Sequence, residues 1–321
     1  MLNFNYVIKI YHLMKSSVTN KILMIKPNIF GSNPETLHDN IFQKSNSNID
    51  KKIVSDNARI EFENFVNIIK DNGIDVIEFS TKSNHLPDSI YSNNWISTHP
   101  DGTIHLYPMF SRNRRGERRS DVVNFLIKNY KVNKVVDDAK VYEKKEMFLE
   151  GTGSLVLDRL NKIAFANSSN RTSKLLFDKW VVEMGYKGFF FKAYDNSKPI
   201  YHTNVILSIC SKLVFVCFDV LEKSTVYYLK KIFKKNNKVT INITKFQMHN
   251  FLGNVIELKN NLNQLFLIMS TKAYRCITED QLSTINKYNK ILHSPLDVIE
   301  NYGGGGARCM ITEIFLQKKI K

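Results

Sequence analysis

Ile90-Tyr-Ser-Asn-Asn-Trp-Ile-Ser-Thr-His-Pro-Asp-Gly-Thr-Ile-His-Leu-Tyr-Pro-Met109 reads as two strands, 90–98 and 103–109, folded back at His99-Pro-Asp-Gly102. Proline presets one torsion of such a turn and glycine supplies the left-handed one. A helical pattern over 119–129 and a short strand over 133–137 complete a strand–strand–helix–strand unit. The same order then recurs. Strands 154–158 and 162–166, helix 172–184 and strand 187–193 make a second unit. Strands 204–209 and 212–218, helix 221–233 and strand 238–243 make a third, and strands 254–258 and 265–269, helix 278–290 and strand 295–299 a fourth. A fifth is stitched from both ends: strand 309–316 pairs with 22–26, and helix 55–71 and strand 74–79 follow. Phe62, Phe65, Val66 and Ile69 share one face of that helix, and Asn72-Gly73 is its stop.

Five such units predict an α/β fold, a five-bladed propeller of pseudo-fivefold ββαβ units in which each apolar face is buried against its neighbour. Residues 20–321 are expected to form one domain, residues 1–19 an N-terminal extension, and the polar stretch 43–50 a loop. The repeat also organises the chemistry. Each first strand begins near a conspicuous polar residue: Asn93 and Asn94, Glu150, His202, Asn254, Cys309. In a ring these positions converge on the axis, so one site is expected there.

Composition sets the bounds. The chain has 321 residues, 43% hydrophobic and 24% charged, which is ordinary for a globular protein. The net charge of +16 comes from lysines spread along the whole chain. With no zinc finger, RNA-recognition signature or aromatic-interleaved basic stripe, no nucleic-acid partner is expected. No apolar run reaches the roughly 18 residues of a membrane span, and the N-terminus has no cleavage site of a secretory leader. Four cysteines make no disulfide framework, so a cytoplasmic location is expected. There is no His-Glu-x-x-His and no paired-cysteine spacing for a metal. The glycines at 303–306 lack the spacing of a P-loop or a dinucleotide fingerprint, so no cofactor is expected either.

Those glycines matter in another way. Gly303-Gly-Gly-Gly-Ala-Arg-Cys309 spends backbone entropy on four consecutive glycines, which makes sense where the chain bends sharply and comes close to something small. The cysteine just after such a turn is a candidate nucleophile. Phe148-Leu-Glu-Gly-Thr-Gly-Ser154 and Tyr201-His-Thr-Asn-Val205 add Glu150 and His202.

These segments resemble the guanidino-group-modifying superfamily of α/β propellers, the penteins. It includes arginine deiminases, dimethylarginine dimethylaminohydrolases and succinylarginine dihydrolases. Within it the chain most resembles the citrulline utilisation hydrolase (citrulline ureidase) family. The resemblance is carried by Met24-Ile-Lys-Pro27, Asn33-Pro-Glu-Thr36, Pro87 to His99, Leu106-Tyr-Pro-Met109, Asn113-Arg-Arg-Gly-Glu-Arg-Arg119, Leu149 to Ser154, Tyr201 to Val205 and Gly303 to Leu316. It implies Cys309 as nucleophile, His202 as general acid and base, and Glu150 as their acidic partner. It implies a substrate site of Asp88, Asn93, Asn94, Arg114, Arg171 and Asn204, with the two arginines on the substrate's α-carboxylate. Arginine deiminases carry Asp where this chain has Asn94 and Asn204. Carboxylates grip a cationic guanidinium, whereas amides offer one donor and one acceptor, which suits a neutral ureido group. The resemblance therefore implies hydrolysis of citrulline to ornithine, CO2 and ammonia. Arginine deiminase or dimethylarginine (guanidino) hydrolase activity stays open, as does a non-catalytic amino-acid-binding protein of the same fold. The expected partner is a small-molecule substrate, and a homo-oligomer is possible.

Overall fold

The turn at His99-Pro-Asp-Gly102 forms as its residues require. The computed structural model describes residues 17–44, 50–81, 83 and 85–319. Within it Gly102 has φ +84° and donates its N–H to His99 O at 3.0 Å. Strand Ile96–Thr98 pairs antiparallel with Thr103–Leu106, which pairs parallel with Lys134–Val136 after helix Ser120–Asn129. Four more three-stranded sheets repeat this order, antiparallel then parallel. They are Val156–Asp158, Ile163–Asn167 and Lys187–Phe191; Leu207–Ile209, Leu213–Val216 and Val239–Asn242; Ile256–Lys259, Leu265–Ser270 and Lys290–Ser294; and Thr312–Glu313, Lys21–Lys26 and Asp75–Ser80. The last is joined from the two ends of the chain, as the repeat predicts.

The helix of that unit runs Lys51–Asp71 and buries Val54, Ala58, Phe62, Phe65, Val66 and Ile69. It begins four residues before the expected position because Asp50 caps it, accepting the Lys52 N–H at 2.7 Å. Of the loop expected over 43–50, residues 45–49 lie outside the described residues, as do 1–16 of the expected extension. Val18 and Thr19 are buried, and Thr19 Oγ1 donates to Ile314 O at 2.6 Å.

The fourth unit corrects the sequence reading. The helix expected over 278–290 ends at Asn286, and the strand expected over 295–299 is Lys290–Ser294, in parallel register with Phe266–Ser270. Pro295 cannot donate to a ladder. Residues Asp297–Gly303 are instead a helix whose first turn is satisfied from outside, with Glu61 accepting the N–H groups of Val298 (2.9 Å) and Ile299 (3.0 Å). Likewise only Thr312–Glu313 of the strand expected over 309–316 joins the ladder. A hairpin of Tyr194–Asp195 and Lys198–Pro199 had no counterpart in the repeat.

The helix Asp297–Gly303 leads directly into the glycine run and buries Glu300, 1% exposed. Burial lifts the Glu300 carboxyl to about 8. Ser270 and Lys272 counter this in part, while Asp297 and Glu61 add to it. The folded protein therefore keeps a proton that the unfolded chain has released above its ordinary carboxylate pKa. Stability falls as pH rises through the window from about 4.5 to 8. Glu300→Gln removes this dependence. It is expected to stabilise the protein by on the order of 2 kcal/mol at pH 8 and not at pH 4.5. Urea unfolding at both pH values checks it; a pH-independent difference contradicts the assignment.

Candidate active site

The polar residue of each unit sits on a tight turn just before the first strand rather than on the strand itself. The turns are Ser92–Asn94, Gly151–Ser154, Thr203–Val205 and Ala307–Met310, with Asn254 closing the turn that precedes Ile256. Such turns meet their own backbone needs. The Asn94 N–H donates to Tyr91 O and the Trp95 N–H to Ser92 O, both at 3.2 Å. They can therefore sit buried at a junction without a sheet partner. This explains why the strands expected to begin at 90, 154, 204 and 309 begin later.

Two close approaches depend on glycine. A Cβ at Gly153 would lie 2.5 Å from Asn94 Nδ2 and 2.7 Å from His202 Cε1. The small residue lets the Glu150 turn press against both. Gly304 has φ +66°, and a Cβ on it would meet the Asn40 amide at 2.5 Å. The run is fixed by phenols, since Tyr201 donates to Gly304 O at 2.6 Å and Tyr91 to Gly305 O at 3.4 Å.

Cys309, 4% exposed, follows on its turn. Asn254 Nδ2 lies 3.3 Å from Sγ and Asn204 Nδ2 lies 3.6 Å from it. Burial pushes the Cys309 thiol up, and the Asn254 hydrogen bond, the Gly306 backbone, Arg308 and Asn204 pull it back only in part. His202 is lowered by burial, against the opposing pull of Glu150. Desolvation thus favours the neutral thiol and the neutral imidazole.

His202 Nε2 lies 2.8 Å from Glu150 Oε2, and Glu150 Oε1 accepts the Phe110 N–H at 3.0 Å. Burial pushes the Glu150 carboxyl up. Arg171, His202 and Arg114 more than offset it and hold it down to about 2. Arg171 Nη1 is 3.7 Å and Arg114 Nη1 3.8 Å from Glu150 Oε2. Glu150 thus fixes the imidazole's orientation from below and faces two buried cations.

His202 and Cys309 line one small cavity with Asp88, Asn94, Arg114 and Arg171. Tyr91, Tyr201, Thr36, Asn40 and Gly303, Gly304 and Gly305 complete the wall. Glu150 lies behind His202. Asn93 is buried outside the cavity, with its backbone oxygen accepting from Thr152 Oγ1 at 3.4 Å. Asn204 contacts Sγ and borders a second cavity among Arg159, Lys238, Arg308 and Glu313. Among the described residues, Asp88 Oδ1, Asn94 Nδ2 and Asn204 Oδ1 are buried with no hydrogen-bond partner. Burial raises the Asp88 carboxyl against the pull of Arg114 and Asn33.

The two arginines expected to hold a substrate carboxylate are both engaged within the protein. Glu117 takes Arg114 Nε at 2.8 Å and Nη2 at 2.9 Å, and Asn94 Oδ1 takes Nη1 at 3.1 Å. Asp39 takes the Arg171 fork. Three neighbouring arginines are also engaged within the protein: Arg115 donates to Met109 O, Arg118 pairs with Glu143 and Arg119 with Asp121. Asn254 follows from the repeat pattern, whereas Asp39 carried no signal in the sequence and Tyr91 and Tyr201 were only flanking members of quoted motifs. Among the described residues no group of three or more His, Cys, Asp or Glu could hold a metal ion, and no helix is long and apolar enough to cross a membrane.

No curated protein matches the chain. Among solved structures, the N-terminal domain of ArgZ, an arginine dihydrolase from the ornithine–ammonia cycle in Cyanobacteria, superposes with a TM-score of 0.70 at 14% identity over 91% of this chain and 97% of that one. AgrE in complex with L-arginine gives a TM-score of 0.70 at 15% identity over 91% of this chain and 40% of that one. A dimethylarginine dimethylaminohydrolase adduct gives 0.61 at 12% identity over 92% and 100%. These likenesses establish a shared α/β fold. The profile of the eukaryotic N,N-dimethylarginine dimethylhydrolase family matches residues 26–316, nearly the whole chain, and the protein belongs to that family within the pentein superfamily.

Proposed function

We propose that this protein is a cysteine-dependent hydrolase of the ureido group of citrulline, giving ornithine, CO2 and ammonia. The observation that carries the reading is two unpartnered amide atoms, Asn94 Nδ2 on a side chain of the cavity wall and Asn204 Oδ1 on the side chain whose Nδ2 lies 3.6 Å from Sγ. One donor and one acceptor complement a neutral group that presents one C=O and one NH2. The five sheets are read as blades of one ring, which accounts for residues from five units meeting at Cys309. Cys309 is the nucleophile, His202 the acid and base, and Glu150 the group that orients the imidazole.

Burial favours the neutral form of both reacting groups, so the proton passes from Sγ to His202 as the thiolate attacks the ureido carbon. The tetrahedral adduct expels ammonia, which takes that proton from His202. A thiocarbamate on Cys309 remains. Water, deprotonated by His202, attacks it and releases the thiolate and a carbamate, which breaks down to ornithine and CO2. Asn254 Nδ2, beside Sγ, is placed to stabilise the thiolate that forms and leaves.

A second reading, hydrolysis of arginine or a derivative, is favoured by one observation: Asp88 lines the cavity with a free carboxylate oxygen that suits a cation. Product analysis separates the two. Citrulline hydrolysis gives ornithine and CO2 from citrulline. Arginine deimination gives citrulline, and a binding protein turns over neither.

Charge supplies a sharper test. Asn94→Asp with Asn204→Asp is expected to shift relative kcat/KM towards arginine by roughly 2- to 30-fold per site, since a charge-assisted hydrogen bond is worth about 1.5–3 kcal/mol against about 1 for a neutral one. The citrulline rate should fall as well, because a carboxylate at 204 lies beside Sγ and opposes thiolate formation. Wild-type preference for arginine would falsify the amide argument.

A further inference from the structure

The segment from Asn33 to Gln43 contributes Thr36 and Asn40 to the cavity wall and is fastened to the rest of the fold beside it. Asn33 Nδ2 donates to Asp88 Oδ2 at 2.7 Å, Asn40 Nδ2 to Gly304 O at 3.4 Å, and Gln43 Nε2 to Tyr302 O at 2.9 Å. From the middle of this segment Asp39 reaches Arg171. Its Oδ2 accepts from Nε at 2.9 Å and its Oδ1 from Nη2 at 2.5 Å, the two-point geometry of a carboxylate on a guanidinium. Arg171 is 2% exposed and lies over the Tyr201 ring at 4.7 Å, while the Asp39 side chain is 13% exposed. A cation this deeply buried is strongly destabilising without a partner. Glu150, at 3.7 Å, is already committed to His202.

We propose that Asp39 is a built-in occupant of the carboxylate site, holding Arg171 until the carboxylate of an amino-acid substrate displaces it. This rests on the amino-acid hydrolase reading above and makes Asp39 a specificity-determining residue. Only a ligand that replaces the lost carboxylate can move the segment without leaving Arg171 unpaired. Amines such as agmatine or N-carbamoylputrescine, which carry the reacting group without a carboxylate, are excluded for that reason. The affinity of the true substrate is reduced by the fraction of molecules in which Asp39 occupies the site.

Alkylation of Cys309 by iodoacetate and by iodoacetamide, followed on its own peptide by mass spectrometry, tests this without reference to any substrate. The two reagents meet the same thiol, so their rate ratio cancels the thiolate fraction and reports attraction of a carboxylate into the cavity. Asp39→Asn, or Asp39→Ser should the first not fold, is expected to raise the iodoacetate-to-iodoacetamide ratio at least fivefold over wild type. Glu35→Gln, which removes a charge from the same segment without touching Arg171, is expected to leave the ratio within twofold. Equal ratios in the Asp39 and Glu35 variants overturn the proposal. So does a higher citrulline or arginine KM in Asp39→Asn, because Asp39 would then be holding the substrate itself. If wild type turns over neither compound, the hydrolase reading falls, and the alkylation ratio still decides whether Asp39 blocks the carboxylate site.

Discussion

Replacing Cys309 with alanine is expected to lower kcat/KM by about 10⁴-fold or more while leaving the fold intact, because removing a covalent nucleophile takes away the whole reaction path rather than one stabilising contact. The structural cost should be small. The substitution leaves the amides of Asn204 and Asn254 without their sulfur neighbour, a loss of about 1–2 kcal/mol for partly satisfied buried donors. Cys309→Ser keeps a hydrogen-bond acceptor in place and should fold better still. Its hydroxyl is a far weaker acid than the thiol, so it should be equally inactive. Turnover of citrulline and of arginine, with a thermal melt of each variant, checks both halves. Activity within tenfold of wild type in Cys309→Ala removes the proposed mechanism. Inactivity accompanied by loss of the cooperative melt would show that the residue serves packing instead.

Glu150→Gln should produce the second large effect, and it has two separable parts. The amide can still lie against His202, but it no longer stabilises the imidazolium that forms as Cys309 gives up its proton. A loss of about 10²–10⁴-fold in kcat is expected, in line with a general acid–base residue deprived of its orienting carboxylate. The other part is stability. Glu150 faces Arg171 and Arg114 with no exposure to solvent, and removing its charge is expected to cost about 3 kcal/mol at pH 7.

The pH dependence distinguishes this from a loss of packing. The Glu150 carboxyl is held at about 2 in the folded protein against 4.5 ordinarily, so its stabilisation is complete above about 4.5 and is lost as pH falls from there towards 2. The difference in urea midpoint between wild type and Glu150→Gln should therefore narrow below pH 4.5. A difference that stays constant down to pH 3 would show that the carboxylate's charge is not what stabilises the fold.

Much of this architecture was legible in the sequence. The His99-Pro-Asp-Gly102 turn, the helix with Phe62, Phe65, Val66 and Ile69 on one face, and the five-times-repeated order of elements all rest on local chemistry and periodicity, and each appears in the structure. So does the joining of the two chain ends in one sheet, because the repeat leaves a strand over at each end. The glycines beside Glu150 and Cys309 were legible as places of close approach, and the structure packs Gly153 against Asn94 and His202 and Gly304 against Asn40. Element limits were less legible. Residues 290–294 and 295–299 are both apolar enough for a strand, and the register against Phe266–Ser270 decided between them.

The electrostatics belonged to tertiary structure alone. Arg114 and Arg171 read as free cations for a ligand carboxylate. They are committed to Glu117, three residues away, and to Asp39, 132 residues away. Burial also favours the neutral forms of Cys309 and His202. A side chain's charge depends on how far it is removed from water and on which groups lie within a few ångströms. Sequence fixes which groups exist, and only the packing of segments distant in the chain fixes those distances.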